Sequence, residues 1–380
     1  MDSDEKIIKE FSSGILTNLN NLSPKAQDLL VKSCENTLVK YPKTSLYYIK
    51  AKKALEIMKR KNYNSYNLRP RKKHKKKMYI ADIGLLSWTQ DSCFLDSVIM
   101  CLLLQPKNFI KKNMLQVSLE KRNKMLICGK NSSEDLINRK KVQEKFIELC
   151  DSINGLQNVY NCSEFRSSLV NCPNEEEFYF SGMRDAQEFL EYLFSIFPVD
   201  IIKWKSVTYG KKSSSSDIWK KTSENVNKMS PLWVITAEKL TSLKNDKTHN
   251  IEDLIHCSCE NKLDTSFDKG YDLMKQESYI IDTTFLVIGV QHMSMNNRFV
   301  VRSIIPTEYI TLRSNRILTL CGIVVWINSH YTAYVKFDNT FYHYNDAGPT
   351  LRKIGDYDML INSNITPNPK THGTLYFYSE

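Results

Sequence analysis

Residues 329–346 read SHYTAYVKFDNTFYHYND. β-branched and aromatic residues fill both halves, and the FDNT between them is a turn signal, so the stretch predicts two short strands in a hairpin. His330 opens the first strand, and Asn345 and Asp346 close the second. Folding the hairpin returns Asn345 to the side of His330, where an amide or carboxylate can hold one imidazole nitrogen and fix its tautomer. A lone histidine is ordinarily a structural residue; the Asn-Asp pair at hairpin distance moves this one toward chemistry. His343 ranks below it. That residue alternates with Tyr342 and Tyr344, faces the other side of the sheet from them, and has no evident orienting partner.

Outward from the hairpin the C-terminal part of the chain is β in texture. YIIDTTFLVIGVQ, NRFVVRSIIP, RILTLCGIVVWIN and GTLYFY are rich in strand formers and bounded by Asn, Asp, Gly and Pro. The N-terminal side is helical. CFLDSVIMCLLLQ (93–105) is an apolar helix stopped before Pro106, and RDAQEFLEYLFSIF (184–197) is another. Helices first and strands later argue for an α+β fold over a doubly wound sheet.

Residues 1–62 form a separate helical unit. Ile7, Ile8, Phe11, Ile15 and Leu19 recur at helical spacing, Ser23-Pro24 opens a second helix that ends at Pro42, and Tyr47, Ala51, Leu55 and Met58 line a third. Residues 63–80 read as a basic linker, because 69–77 (RPRKKHKKK) holds seven Lys or Arg and no acid. That block supplies most of the formal charge of +11. It is a solvated linker with targeting value, and any nucleic-acid contact would run through it alone, without the aromatic residues of a single-strand platform. Residues 203–276 are rich in Lys and Ser, show weak periodicity, and read as an insertion in a domain spanning 81–380.

The chain has 380 residues, 42% apolar and 25% charged, enough for a sizeable core. No apolar run is long enough to span a membrane, and MDSDEKIIKEF has no secretory h-region, so the protein reads as soluble and intracellular, without a membrane partner. Ten cysteines are too sparse for a disulfide scaffold. Only Cys257 and Cys259 form a short couple, beside His256. No second couple answers it, so a structural zinc is the minority reading and no metal or cofactor is assigned.

Cys93 begins the apolar helix behind Asp91-Ser92, where the helix dipole favours a thiolate. By itself such a cysteine is more often a core residue, the role that suits Cys101 two turns later. The partners change that balance: His330 is a base and Asn345 its orienting amide.

Four segments resemble, in order, the boxes of the ubiquitin-specific proteases. DSCFLDSVIMCLL resembles the cysteine box, with Asp-Ser after Leu95 similar to the cylindromatosis-type branch. RDAQEFLEYLF resembles the Q-D-A-Q-E-F-L box, SHYTAYVKFDNTFYHYND the histidine box, and GTLYFY the closing strand. The resemblance covers about residues 81 to 380 and implies a papain-like thumb-palm-fingers fold, with 203–276 as a fingers-like region, that holds ubiquitin or ubiquitinated proteins. It implies Cys93 as nucleophile, His330 as general base, Asn345 as its orienting residue and Asp346 as an assisting acid. It also implies that Asp185 contacts the basic ubiquitin tail and that Gln187 and Glu188 support the cleft. Three positions depart from the pattern. Trp88 stands where the family has an oxyanion-donating Asn, leaving Gln90 or the Cys93 N–H to donate; Arg184 replaces a Gln, and Ser329 a Gly. The expectation is a deubiquitinating thiol protease that needs no cofactor; a ubiquitin-binding pseudo-protease, or a protease of a related modifier, is the alternative. Abundant Lys, Asn, Ile and Tyr fit an AT-rich genome, such as that of a large DNA virus or a parasite, and the expected location is cytoplasm or nucleus, of a host cell if viral.

Overall fold

The computed structural model describes residues 83–104, 109–121, 128–153, 159–171, 184–197, 199, 201–211, 219–243, 247–255, 257–262, 273–292, 300 and 302–380. The readings of 1–62 as a helical unit and 63–80 as a basic linker lie outside these residues, as does His256. Among the described residues no helix is long and apolar enough to cross a membrane.

Helix α1 (Cys93–Leu103) is apolar on every side, and each residue from Cys93 to Leu102 is buried. A helix of that composition is stable only inside a core. Helix α2 (Ser132–Ile153) is amphipathic and turns Val142, Phe146, Leu149 and Ile153 inward. The short α3 (Ser163–Ser167) lies against it. Helix α4 (Ala186–Ile196) starts at Asp185, whose Oδ1 accepts from the backbone N–H of Gln187 at 2.7 Å and of Glu188 at 3.1 Å. This is an N-cap, which satisfies two donors that the first turn leaves open.

The strands make two substantial sheets. A parallel pair, β1 (Leu85–Leu86) and β2 (Val159–Tyr160), brings the chain in beside α1. The four-stranded sheet holds β3 (Ile202–Lys211), β4 (Lys220–Ser230), β6 (Cys257–Lys262) and β7 (Leu273–Asp282), in the order β4-β3-β7-β6, all antiparallel. The eight-stranded sheet holds β5 (Trp233–Ile235), β8 (Phe285–Val290), β9 (Tyr309–Thr311), β10 (Ile317–Ile327), β11 (His330–Phe337), β12 (Thr340–Asn345), β13 (Thr350–Gly355) and β14 (Gly373–Ser379). Its order is β13-β12-β11-β10-β14-β8-β5, with β9 on β10, and only β5–β8 is parallel. The weakly patterned 203–276 segment therefore contains β4, β5, β6 and nearly all of β3. Most side chains on β3 are only half-buried and those described on β4 are largely exposed, so the apolar alternation that marks a strand is missing from KKTSENVNKMS.

The central strands of the eight-stranded sheet are buried on both faces. Along β14, Leu375 and Phe377 join the core beneath α1 and α4, while Tyr376 and Tyr378 join a second core on the other face. β8 divides in the same way, with Phe285 and Val287 on the first side and Leu286 and Ile288 on the second. Two glycines allow the helices to come close. A Cβ on Gly322 would sit 3.0 Å from the Cys101 sulfur, and one on Gly289 would sit 2.8 Å from Gln187 Cδ. Phe94 and Phe189 pack edge to face, 5.6 Å apart, locking α1 to α4.

A buried ion pair ties α2 to α4. Asp135 accepts from the Cys128 N–H at 2.5 Å and pairs with Arg139 at 2.8 Å, while Arg139 Nη1 donates to the Ile196 carbonyl at 3.0 Å. Asp135→Ala leaves the guanidinium buried without its counter-charge. Urea denaturation should show a loss of about 3–5 kcal/mol; a loss under about 1 kcal/mol would mean that the pair carries no stability.

Candidate active site

Ahead of α1 the chain makes a tight turn. Gln90 and Asp91 both take positive φ (47° and 58°), and the Ser92 N–H closes on the Thr89 carbonyl at 3.1 Å. This is a type I′ turn, strained by about 1 kcal/mol at each non-glycine position. It is held from outside by Arg166 of α3, whose Nη1 donates to the Gln90 carbonyl at 2.6 Å. The turn sets Cys93 at the first position of α1. There the leading N–H groups have no acceptor within the helix.

Two more turns with left-handed residues place the histidine. Asn328-Ser329 (φ 49° and 61°) joins β10 to β11, and Asp338-Asn339 (φ 45° and 62°) joins β11 to β12. Ser329 thus occupies a conformation that favours glycine, the residue the resemblance expects there. Ala333 lies opposite Tyr344 in the hairpin, and the His330 side chain reaches diagonally across to Asn345. His330 Nε2 lies 3.0 Å from Asn345 Oδ1 and 3.4 Å from Asp346 Oδ1. The Ala347 N–H also donates to Asn345 Oδ1, at 3.1 Å. Since that oxygen can only accept, it assigns the proton of neutral His330 to Nε2, which makes Nδ1 the acceptor nitrogen.

Two long-range bonds dock the hairpin on the cysteine segment. The Tyr344 hydroxyl donates to the Leu86 carbonyl at 2.7 Å, and the Trp88 N–H to the Asp346 carbonyl at 3.0 Å. The backbone N–H groups of Tyr331 and Phe94 lie near the Cys93 sulfur and favour its thiolate. Tyr331 follows His330 directly, so Cys93 and His330 are brought to one place. Cys93 is only 3% exposed. Burial pushes its pKa up to about 11, with the negative field of Asp346 adding to it against the two nearby N–H groups. The sulfur therefore rests as a thiol and depends on a base to become a nucleophile.

The other expected residues fall around this centre. Gln90 is exposed on its turn, and Trp88 beside it is 48% exposed. Asp185 spends one carboxylate oxygen on the α4 cap, while the other accepts from the Tyr331 hydroxyl at 3.3 Å. Gln187 is 8% exposed and donates to Glu191 at 2.9 Å beneath Gly289, whereas Glu188 faces outward. Cys101 is fully buried. Cys257 and Cys259 fall on β6. Among the described residues no group of three or more His, Cys, Asp or Glu side chains is placed to hold a metal ion. Sequence reasoning passed over Arg166, which carries no signal of its own because it acts only once α3 is in place; it noted Asp96 as the mark of the cylindromatosis-type cysteine box and gave it no role in the site.

His343 does find a partner, Thr332 Oγ1 across the hairpin at 3.1 Å. Burial lowers its pKa from 6.5 to about 4, with the positive fields of Arg352 and His330 helping. The unfolded chain thus takes up this proton before the folded one. Its contribution to stability is intact above pH 6.5 and is lost as pH falls toward 4, by up to about 3 kcal/mol. Melting between pH 7 and pH 4 should fall less steeply in His343→Gln than in the wild type; parallel curves would place His343's titration outside this window.

No family model matches the chain, and no curated protein matches it. Solved structures do. The SAGA DUB module of Ubp8, Sgf11, Sus1 and Sgf73 bound to monoubiquitin is similar at 14% identity with a TM-score of 0.52, over 85% of this chain and 75% of that one. The yeast SAGA DUB module with an Sgf73 substitution is similar at 16% identity, with the same TM-score and coverage. At these identities the likeness shows the fold alone: a mixed α/β architecture that agrees with the papain-like class at a coarse level.

Proposed function

We propose that the protein is a cysteine-type deubiquitinase that hydrolyses isopeptide or peptide bonds at the C-terminal glycine of ubiquitin. The observation that carries this reading is the 3.0 Å bond from His330 to Asn345, on a strand whose next N–H lies near the Cys93 sulfur. The similarity to a module bound to monoubiquitin supports the choice of substrate.

In this reading His330 Nδ1 takes the proton from Cys93, and the thiolate attacks the glycine carbonyl. The resulting oxyanion meets the Cys93 N–H at the head of α1, with the Gln90 amide as second donor in place of the family's Asn. His330 then gives the proton to the departing lysine nitrogen, the C–N bond breaks, and a thioester remains. Water, deprotonated by His330, attacks the thioester and releases the ubiquitin carboxylate and the thiol. Asn345 keeps the imidazole in register throughout, and Asp346 faces the imidazolium that forms. Asp185, exposed at the start of α4, is the acidic contact for the basic ubiquitin tail.

Ubiquitin carrying a C-terminal electrophile tests this. Mass spectrometry should find one covalent adduct, on Cys93. Binding of ubiquitin without an adduct would make the protein a pseudo-protease. Neither binding nor adduct would overturn the reading.

A further inference from the structure

Directly behind His330 are two carboxyl groups in an arrangement that two ionised carboxylates cannot maintain. Asp96, one turn into α1, is fully buried, and Asp346 is 1% exposed. Ser92 Oγ donates to Asp96 Oδ2 at 2.5 Å. Asp96 Oδ1 and both oxygens of Asp346 receive no well-aligned N–H or O–H from the protein. The N–H groups of Asp346 and Ala347 lie close to the Asp346 carboxyl without completing such a bond. The two carboxyls instead lie within hydrogen-bonding reach of each other. A carboxylate has only acceptors, so two of them in contact, out of water, leave buried lone pairs facing buried lone pairs.

One proton resolves this. We propose that Asp96 keeps its proton at neutral pH and donates it to Asp346, so that the acid pair presents His330 with a single negative charge. Asp96 is thereby a positioning residue, acting on the imidazole through Asp346. The proposal takes from the functional reading only that Cys93 and His330 are the reacting groups.

The surroundings favour this state. Burial raises the proton affinity of both carboxyls; the charge of Asp346 raises Asp96 further, whereas the field of His330 and a hydrogen bond from Asp96 lower Asp346. The groups that face the pair are Cys93 on α1, His330 on β11, Tyr344 on β12, and Cys162 and Arg166 at α3. Of these only Arg166 carries a fixed charge, and its guanidinium is also engaged with the Gln90 carbonyl. It does not neutralise two carboxylates. The arrangement also has a chemical use. A doubly charged pair would hold His330 as a cation and further suppress the Cys93 thiolate. A singly charged pair still stabilises the imidazolium when it forms, yet leaves the resting imidazole free to act as a base.

Asp96→Asn supplies a neutral, isosteric donor and so mimics the protonated acid. Infrared spectra of the wild type at neutral pH should contain a carboxylic-acid C=O band that is missing from Asp96→Asn. Absence of that band in the wild type would overturn the proposal whether or not the variant folds. A second readout is the rate at which iodoacetamide alkylates Cys93, followed by mass spectrometry at fixed pH. With the charge unchanged, Asp96→Asn should react within about twofold of the wild type. If Asp96 were ionised, removing its charge would raise the thiolate fraction about tenfold, and a rise of that size would overturn the proposal. Neither measurement uses ubiquitin. A protein that shows the band and the matched rates but forms no ubiquitin adduct would keep the acid pair and lose the functional reading.

Discussion

Cys93→Ala is expected to reduce hydrolysis of a fluorogenic ubiquitin C-terminal amide by about 10⁴-fold or more, to background. The size of the effect follows from the role of the sulfur. Without it no thioester forms, and neither His330 nor the amide donors provide another covalent route. Binding should survive the change. Cys93 is buried at the head of α1 and presents little surface to a protein ligand, and a cysteine-to-alanine change keeps the helix. The affinity for ubiquitin, read by isothermal titration, should therefore stay within a few-fold of the wild type. Cys101→Ala is the matching control, because Cys101 is buried against Gly322, two turns along α1 from Cys93. It should lose some stability and keep its adduct. Equal hydrolysis by Cys93→Ala and the wild type would remove Cys93 from the chemistry altogether.

A large effect on both stability and labelling is expected at the next residue. Phe94 is fully buried, meets Phe189 edge to face at 5.6 Å, and lies under the Arg166 guanidinium at 5.5 Å. Truncating a buried phenylalanine costs about 3–5 kcal/mol through lost transfer energy and the cavity left behind. Here the cavity would open between α1 and α4, next to the cysteine. Phe94→Ala should therefore unfold at clearly lower urea and also slow the labelling of Cys93 in the fraction still folded. Phe94→Leu keeps most of the volume and should recover most of both. A Phe94→Ala protein with unchanged midpoint would mean that the α1–α4 contact contributes little.

The degree to which sequence anticipated structure differed between regions, for physical reasons. The hairpin 330–345 was legible because strand formers flank a four-residue turn signal, and because β pairing converts a fixed turn into a fixed register. α1 and α4 were legible from continuous or periodic apolar character. The strands within 203–276 were not, since a sheet with half-exposed faces does not need the alternation that a core face demands. YIIDTTFLVIGVQ reads as one strand, but Thr283-Thr284 divide it between β7 and β8, in different sheets. Nothing in the spelling of that run distinguishes a strand crossing from one sheet to another from a strand that continues.

The residue types of the candidate site were in the sequence: a cysteine at a helix start, a histidine at a strand start, and an Asn-Asp at the end of the paired strand. Those features depend on local periodicity and turn chemistry, which a linear chain records. Tertiary structure alone decided the rest. It brought the Tyr331 N–H to the sulfur, turned the carbonyl of Gln90 toward Arg166, gave His343 its threonine, and buried Asp96 against Asp346. Except for the His343–Thr332 pair within the hairpin, those contacts join elements far apart in sequence, and they owe their strength to the exclusion of water when the helices close on the sheet. Neither proximity nor local dielectric is written in the order of residues, so the site's electrostatics belong to the folded molecule.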